Sequence, residues 1–162
     1  MSEQKNLAEE VAAAAVRRGV TVAVAESLTG GLVASWLAAA PGAGRWFRGA
    51  LVAYASEVKY ELLAVPAGPV VSEQAATAMA VGVAGLLRAD LALAVTGVGG
   101  PEPQDDQSPG TVWLCLHQAG RSYPVRRAIA GDPGRVCDRA CAEGLRMLAA
   151  HLTADSQSST RG

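Results

Sequence analysis

Thr21-Val-Ala-Val-Ala-Glu-Ser27-Leu-Thr-Gly-Gly31 runs from a nearly uninterrupted apolar segment straight into a hydroxyl residue and two glycines. An apolar run without polar alternation predicts a buried strand, and the glycines behind it predict a turn that opens a helix. Such strand–turn–helix units build α/β folds, whose ligands gather outside the carboxyl ends of the strands. A helix N-terminus leaves backbone N–H groups free and carries roughly half a positive charge. Ser27 is therefore expected beside a place able to hold a phosphate, a carboxylate or a developing oxyanion. Read alone, Ser27 serves equally as a plain helix cap.

Working outward, the alanine-rich segment Leu7–Arg18 with Gly19 behind it predicts a helix feeding the strand Val20–Ala25. A second helix is expected from Gly31 to Ala40, ended by Pro41-Gly42, then a strand over Trp46–Tyr54 and a short helix over Ser56–Leu63. Ser72 is placed to cap a helix over Glu73–Arg88. Leu91–Val95 reads as a central strand, and Thr96–Pro109 as a loop of glycine, proline and acidic residues. Gln118-Ala-Gly-Arg121 between Thr111–His117 and Ser122–Ile129 is hairpin chemistry, which forces an antiparallel pair into the sheet. A last helix is expected to end near Leu152, leaving a Ser/Thr-rich tail. These elements predict a three-layer α/β/α sandwich around a mixed sheet of about five strands, one domain over residues 1–153 with 154–162 disordered.

Composition narrows the function. The chain has 162 residues, 50% of them apolar and 18% charged, enough for one full core. A net charge of -1, with no basic run, lacks the electrostatic footprint of a nucleic-acid binder. No apolar stretch approaches the ~18 residues that span a bilayer, and Met-Ser-Glu-Gln-Lys is no signal peptide, so a cytoplasmic protein without membrane partners is expected. Three cysteines argue against a disulfide framework. The histidines, His117 and His151, lie far apart, and Cys137 and Cys141 read as small core residues, so no metal site is expected.

Further residues join Ser27. Tyr54-Ala-Ser-Glu-Val-Lys59 puts a phenol at a strand end and an amine one turn into the next helix. A lysine there is ordinarily a solvated helix residue. Desolvated beside polar groups, it becomes an amine able to take a proton from serine, with Tyr54 relaying that proton or orienting the amine. Val95-Thr-Gly-Val-Gly-Gly-Pro101 starts like a dinucleotide fingerprint but continues with Glu102 and Pro103, and it lacks the Gly-Lys-Ser/Thr ending of a P-loop. It remains a glycine loop at a strand end, able to line a nucleotide or phosphate pocket or to be ordinary loop geometry. Asp105 and Asp106 read as a solvated loop.

Taken in order, Ala25-Glu-Ser-Leu-Thr-Gly-Gly31, Tyr54-x4-Lys59, Ala94-Val-Thr-Gly-Val-Gly-Gly-Pro101 and Pro109-Gly-Thr-Val-Trp113 resemble the nicotinamide-nucleotide amidohydrolase family, the C-terminal domain of the competence-damage-inducible CinA proteins. The resemblance covers roughly Leu7 to Leu152, and the chain looks like its standalone form. It implies a self-associating, cytoplasmic hydrolase of pyridine nucleotide salvage within NAD metabolism. Such an enzyme is a metal-independent amidohydrolase, or deamidase, of nicotinamide mononucleotide, releasing nicotinate mononucleotide and ammonia without a cofactor. Carried over by position, it implies Ser27 as nucleophile with Tyr54 and Lys59 as activating partners. Thr29, Gly30, Gly31, Thr96, Gly97, Gly99, Gly100 and Arg135 are then expected around a small pyridine nucleotide. Trp36, Trp46 and Phe47 are expected either at a subunit interface or in the core.

The sequence also departs from the family pattern. Leu28 stands where cysteine is common, Ser56 replaces an asparagine, and Glu102–Ser108 lacks the usual glycine pair and basic residue. Pro133 and Cys137 stand at or near usual arginines. Loss of those cations motivates a different reading, a non-catalytic nucleotide-binding or partner-binding module that keeps the pocket without turnover.

Overall fold

Val22–Glu26 (β1) is buried at every position and alternates valine with alanine, so its two faces differ in size. Val22 and Val24 enter one hydrophobic cluster, Ala23 and Ala25 the other. Leu91–Gly97 (β3) repeats the device, with Leu91, Leu93 and Val95 on the first face and Ala92 and Ala94 on the second. This period of two is what a strand covered on both sides requires. The computed structural model describes residues 2–158, and side chains over 2–154.

Around these strands stand β2 (Phe47–Val52), β4 (Thr111–Gln118) and β5 (Arg121–Ala128), in the order β2-β1-β3-β4-β5. β1 pairs parallel with β2 and β3, whereas β3–β4 and β4–β5 are antiparallel, the mixed five-stranded sheet predicted from the hairpin signal. The bulky face is covered by α1 (Glu3–Arg18), α2 (Leu32–Ala38) and α6 (Pro133–Ser158). The alanine face takes α4 (Ser56–Leu63) and α5 (Glu73–Leu87), which completes the three layers. Close approach on that side is literal: a Cβ on Gly82 of α5 would lie 2.7 Å from the Leu63 carbonyl.

Several boundaries differ from expectation. Trp46 belongs to a single helical turn, α3 (Ala43–Trp46), where its indole donates to the Pro41 carbonyl and is 2% exposed. Trp46 is thus core, and Trp36 and Phe47 pack against that core. Thr96 and Gly97 lie inside β3 rather than in the loop, because pairing with Trp113 and Val112 carries the ladder past Val95. α6 continues to Ser158, beyond the end expected at Leu152, and residues 159–162 of the expected disordered tail lie outside the described residues. Among the described residues no helix is long and apolar enough to cross a membrane.

Candidate functional site

Parallel pairing of β1 with both neighbours brings three strand ends to one rim. Glu26 faces Val52 on β2 and Val95 on β3, the Ser27 amide donates to Val95, and the Ala53 amide donates to Glu26. Ser27, Tyr54 and Thr96 therefore emerge at the same edge. They line a cavity of about 360 Å³ together with Leu28, Lys59, Val70, Gly97, Gly99, Gly100, Glu102 and Cys137, among others. A larger groove of about 690 Å³ between α4 and α5 is lined mainly by apolar groups and contains neither a serine nor a lysine. The serine, the tyrosine and the lysine singled out in the sequence all line the smaller cavity.

Lys59 is 1% exposed, and its Nζ donates to the main-chain carbonyl of Tyr54 at 3.0 Å. Burial pushes its pKa below the usual lysine range, against an opposing pull from Asp105 and then Glu57. The Tyr54 phenol stands 71% exposed at the cavity mouth and, among the described residues, makes no hydrogen bond. Ser27 is 7% exposed, and its hydroxyl is likewise without a hydrogen bond among the described residues. The cavity thus gathers all three residues; among the described residues their side-chain heads make no hydrogen bond to one another, and the amine is held by the Tyr54 main chain.

The helix terminus after Ser27 is already occupied, contrary to expectation. Glu26, 0% exposed, reaches back so that Oε1 accepts from the amides of Gly31 (3.2 Å) and Val33 (3.1 Å) and Oε2 from Ala34 (2.9 Å). A buried carboxylate needs such partners, and the helix dipole adds to their hold. The Gly30 amide donates to the Ser27 carbonyl, and Thr29 Oγ1 is buried without a partner. None of Thr29, Gly30 and Gly31 lines the cavity. The amides of Leu28, Thr29, Gly99 and Gly100 have no acceptor among the described residues.

The remaining expected binding residues divide. Thr96 lines the cavity, with its hydroxyl donating to the Val70 carbonyl at 2.7 Å. Gly97 is glycine for the sheet's sake, since a Cβ there would meet the Thr111 carbonyl at 2.7 Å, whereas a Cβ on Gly99 meets nothing within 4 Å. Arg135 does not line the cavity. It points with Arg127 and Arg139 into a separate concavity, because Pro133 and Cys137 occupy the face of α6 turned to the site.

Two residues were misread in the sequence. Asp105 is no idle loop carboxylate: its Oδ2 accepts from the amides of Val70 (2.7 Å) and Val71 (3.0 Å). Cys137 is half-buried at the cavity rather than in the core, its thiol donating to the Leu28 carbonyl at 3.0 Å, while Cys115 and Cys141 are buried. The signal for Glu26 was present, a charged residue closing an apolar strand. Asp105 carried none, because its partners lie 34 and 35 residues away. Among the described residues no three His, Cys, Asp or Glu side chains gather as a metal site.

Known proteins share this fold. A crystal structure of a competence-damaged protein (CinA) superfamily protein from Klebsiella pneumoniae superposes with a TM-score of 0.89 at 30% identity, covering 93% of this chain and 98% of that one. The competence/damage inducible protein CihA of Agrobacterium tumefaciens gives 0.87 at 28% identity, covering 94% and 97%. The nicotinamide-nucleotide amidohydrolase PncC of Escherichia coli strain K12 is 35% identical over 154 residues, 91% of this chain and 93% of its own. A CinA-like protein of Frankia casuarinae is 45% identical over 145 residues, 83% of this chain, which spans only 33% of that relative's length. Residues 4–152 match the CinA C-terminal domain, and the mixed-sheet fold is the one those solved structures share, so the chain belongs to the CinA C-terminal domain family.

Proposed function

We propose that this protein is a serine amidohydrolase that converts nicotinamide mononucleotide to nicotinate mononucleotide and ammonia, a step of pyridine nucleotide salvage. The observation that carries the reading is the buried Lys59 amine in the same cavity as Ser27, desolvated and held by an acceptor rather than paired with a carboxylate. Desolvation of this kind favours the neutral form of the amine, which is the form that activation of a serine hydroxyl requires. The name of the Escherichia coli relative supplies the substrate.

In this reading Lys59 takes the Ser27 proton as Oγ attacks the carboxamide carbon. The C–N bond of the tetrahedral intermediate breaks, and the leaving amine takes the proton back from the Lys59 ammonium to depart as ammonia. Water, deprotonated by Lys59, then attacks the Ser27 ester, and the carboxylate leaves as the hydroxyl re-forms. The unpartnered amide of Leu28, which lines the cavity, is the donor available to the oxyanion, worth about 3 kcal/mol in other hydrolases. The amides of Gly99 and Gly100 are available to the nucleotide. Catalytic hydrogen bonds often tighten only around substrate, which accommodates a Ser27 hydroxyl with no hydrogen-bond partner among the described residues.

One observation favours a second reading, binding without turnover. Among the described residues Lys59 is the only cation lining the cavity, Glu102 lines it too, and no arginine lines it to grip a phosphate. Incubation of the protein with nicotinamide mononucleotide, with ammonia and nicotinate mononucleotide both quantified, separates the two. Equimolar formation of both products supports the hydrolase, and calorimetric binding without either product supports the module. Self-association is part of the same proposal and is read by light scattering.

A further inference from the structure

The cavity wall is built from two segments that do not touch in sequence. Val70 and Val71 line it from the connection before α5, and Glu102, Pro103 and Gln104 line it from the connection between β3 and β4. Asp105 joins them, its Oδ2 accepting both the Val70 and the Val71 amide. Those amides have no other acceptor among the described residues. From the other side the Val70 carbonyl accepts from the Thr96 hydroxyl, so the valine segment is held between β3 and the aspartate.

The turn that presents Asp105 is unusual. Gln104 and Gln107 exchange both backbone hydrogen bonds, at 3.2 and 2.8 Å, while Asp105 and Asp106 adopt φ of 53° and 59°. Consecutive left-handed non-glycine residues persist where surrounding contacts over-determine them, and such outliers cluster at functional sites. Aspartate tolerates this region better than most residues, and here its carboxylate is used as well.

We propose that Asp105 is a positioning residue of this site: its carboxylate latches the 102–107 turn onto Val70-Val71, closing the cavity wall, and sets a negative charge toward the Lys59 amine. The charged and titratable groups around that amine are Asp105 from the turn, Glu57 from its own helix, and Glu102, the Tyr54 phenol and the Cys137 thiol at the cavity lining. Burial lowers the Lys59 pKa and Asp105 is the largest influence opposing it. The consequence for turnover rests on Lys59 acting as base, as proposed above; the latch itself does not.

Two effects of removing Asp105 have opposite signs at Lys59. Loss of its charge lowers the amine's pKa, whereas a loosened wall that admits water raises it. The test uses the full chain and Asp105→Asn, which preserves shape, with amide hydrogen exchange at Val70 and Val71 and NMR titration of the Lys59 side chain. Exchange at both valines is expected to speed up about tenfold or more. Lys59 is expected to titrate at lower pH. In assays with nicotinamide mononucleotide, the acidic limb of the rate profile then moves to lower pH. Unchanged exchange at Val70 and Val71 overturns the proposal. Both readouts need no substrate. A wild-type protein that releases no ammonia yet shows both shifts retains the latch and loses the hydrolase reading.

Discussion

The Lys59 amine meets Tyr54 through the backbone, Nζ donating to the Tyr54 carbonyl at 3.0 Å while the phenol of the same residue stands exposed. The strand end orients the amine, and a change confined to the ring leaves that contact intact. Tyr54→Phe is therefore expected to leave the Lys59 titration unmoved and to lower ammonia release by less than about tenfold. Lys59→Ala is expected to lower it by a factor on the order of 10³. Steady-state kinetics of both variants with nicotinamide mononucleotide check the contrast.

Burial of Lys59 also has a stability consequence with a definite sign. Its folded-state pKa lies below its ordinary value of 10.5, so between the two the unfolded chain binds the extra proton. The stabilising contribution is fully present above 10.5 and is lost as pH falls through the lowered folded value. Relative to Lys59→Met, the wild type should gain stability as pH rises toward that upper bound. Urea denaturation of the pair at several pH values measures the difference, and a gap that does not change with pH argues against a depressed amine.

Glu26 closes the terminus of α2 with three charge-assisted hydrogen bonds from within the sheet. Glu26→Gln keeps the shape but loses the charge and half of the acceptors, and should cost about 1–3 kcal/mol. Glu26→Ala should cost more, because it also leaves a cavity and uncapped amides. Denaturant midpoints report both. Activity should fall with them, since Ser27 sits between Glu26 and the turn it caps.

The two glycines of the strand-end motif should respond differently. Gly97→Ala forces a Cβ to 3.0 Å from Val112 Cα and closer still to the Thr111 carbonyl, a clash with backbone that should cost about 2 kcal/mol or more. Gly99→Ala meets open space and should leave the melting temperature within about 2 °C while weakening nucleotide binding. Thermal melts together with calorimetry distinguish a scaffold glycine from one that lets a ligand approach.

The fold was largely legible because its signals are local: the period of two in β1 and β3, the hairpin turn at 118–121 and the caps at Gly19 and Ser72. The site was legible in its parts, since Ser27, Tyr54 and Lys59 each follow or precede a strand or helix boundary that the pattern reveals. What escaped depends on long-range pairing or on side-chain direction. Asp105 finds Val70 and Val71 across the sheet end, and Arg135 turns away from the cavity because Pro133 and Cys137 take the inner face of α6. The helix terminus behind Ser27 looked vacant only because a strand residue one position earlier was not recognised as its cap.

The role of Ser27 is measured most directly by the turnover of nicotinamide mononucleotide by purified Ser27→Ala beside the wild type, both shown folded by circular dichroism. If its hydroxyl attacks the carboxamide, ammonia release by the variant falls by a factor on the order of 10³ or more with the fold intact. Ammonia release by Ser27→Ala at the wild-type rate would contradict it.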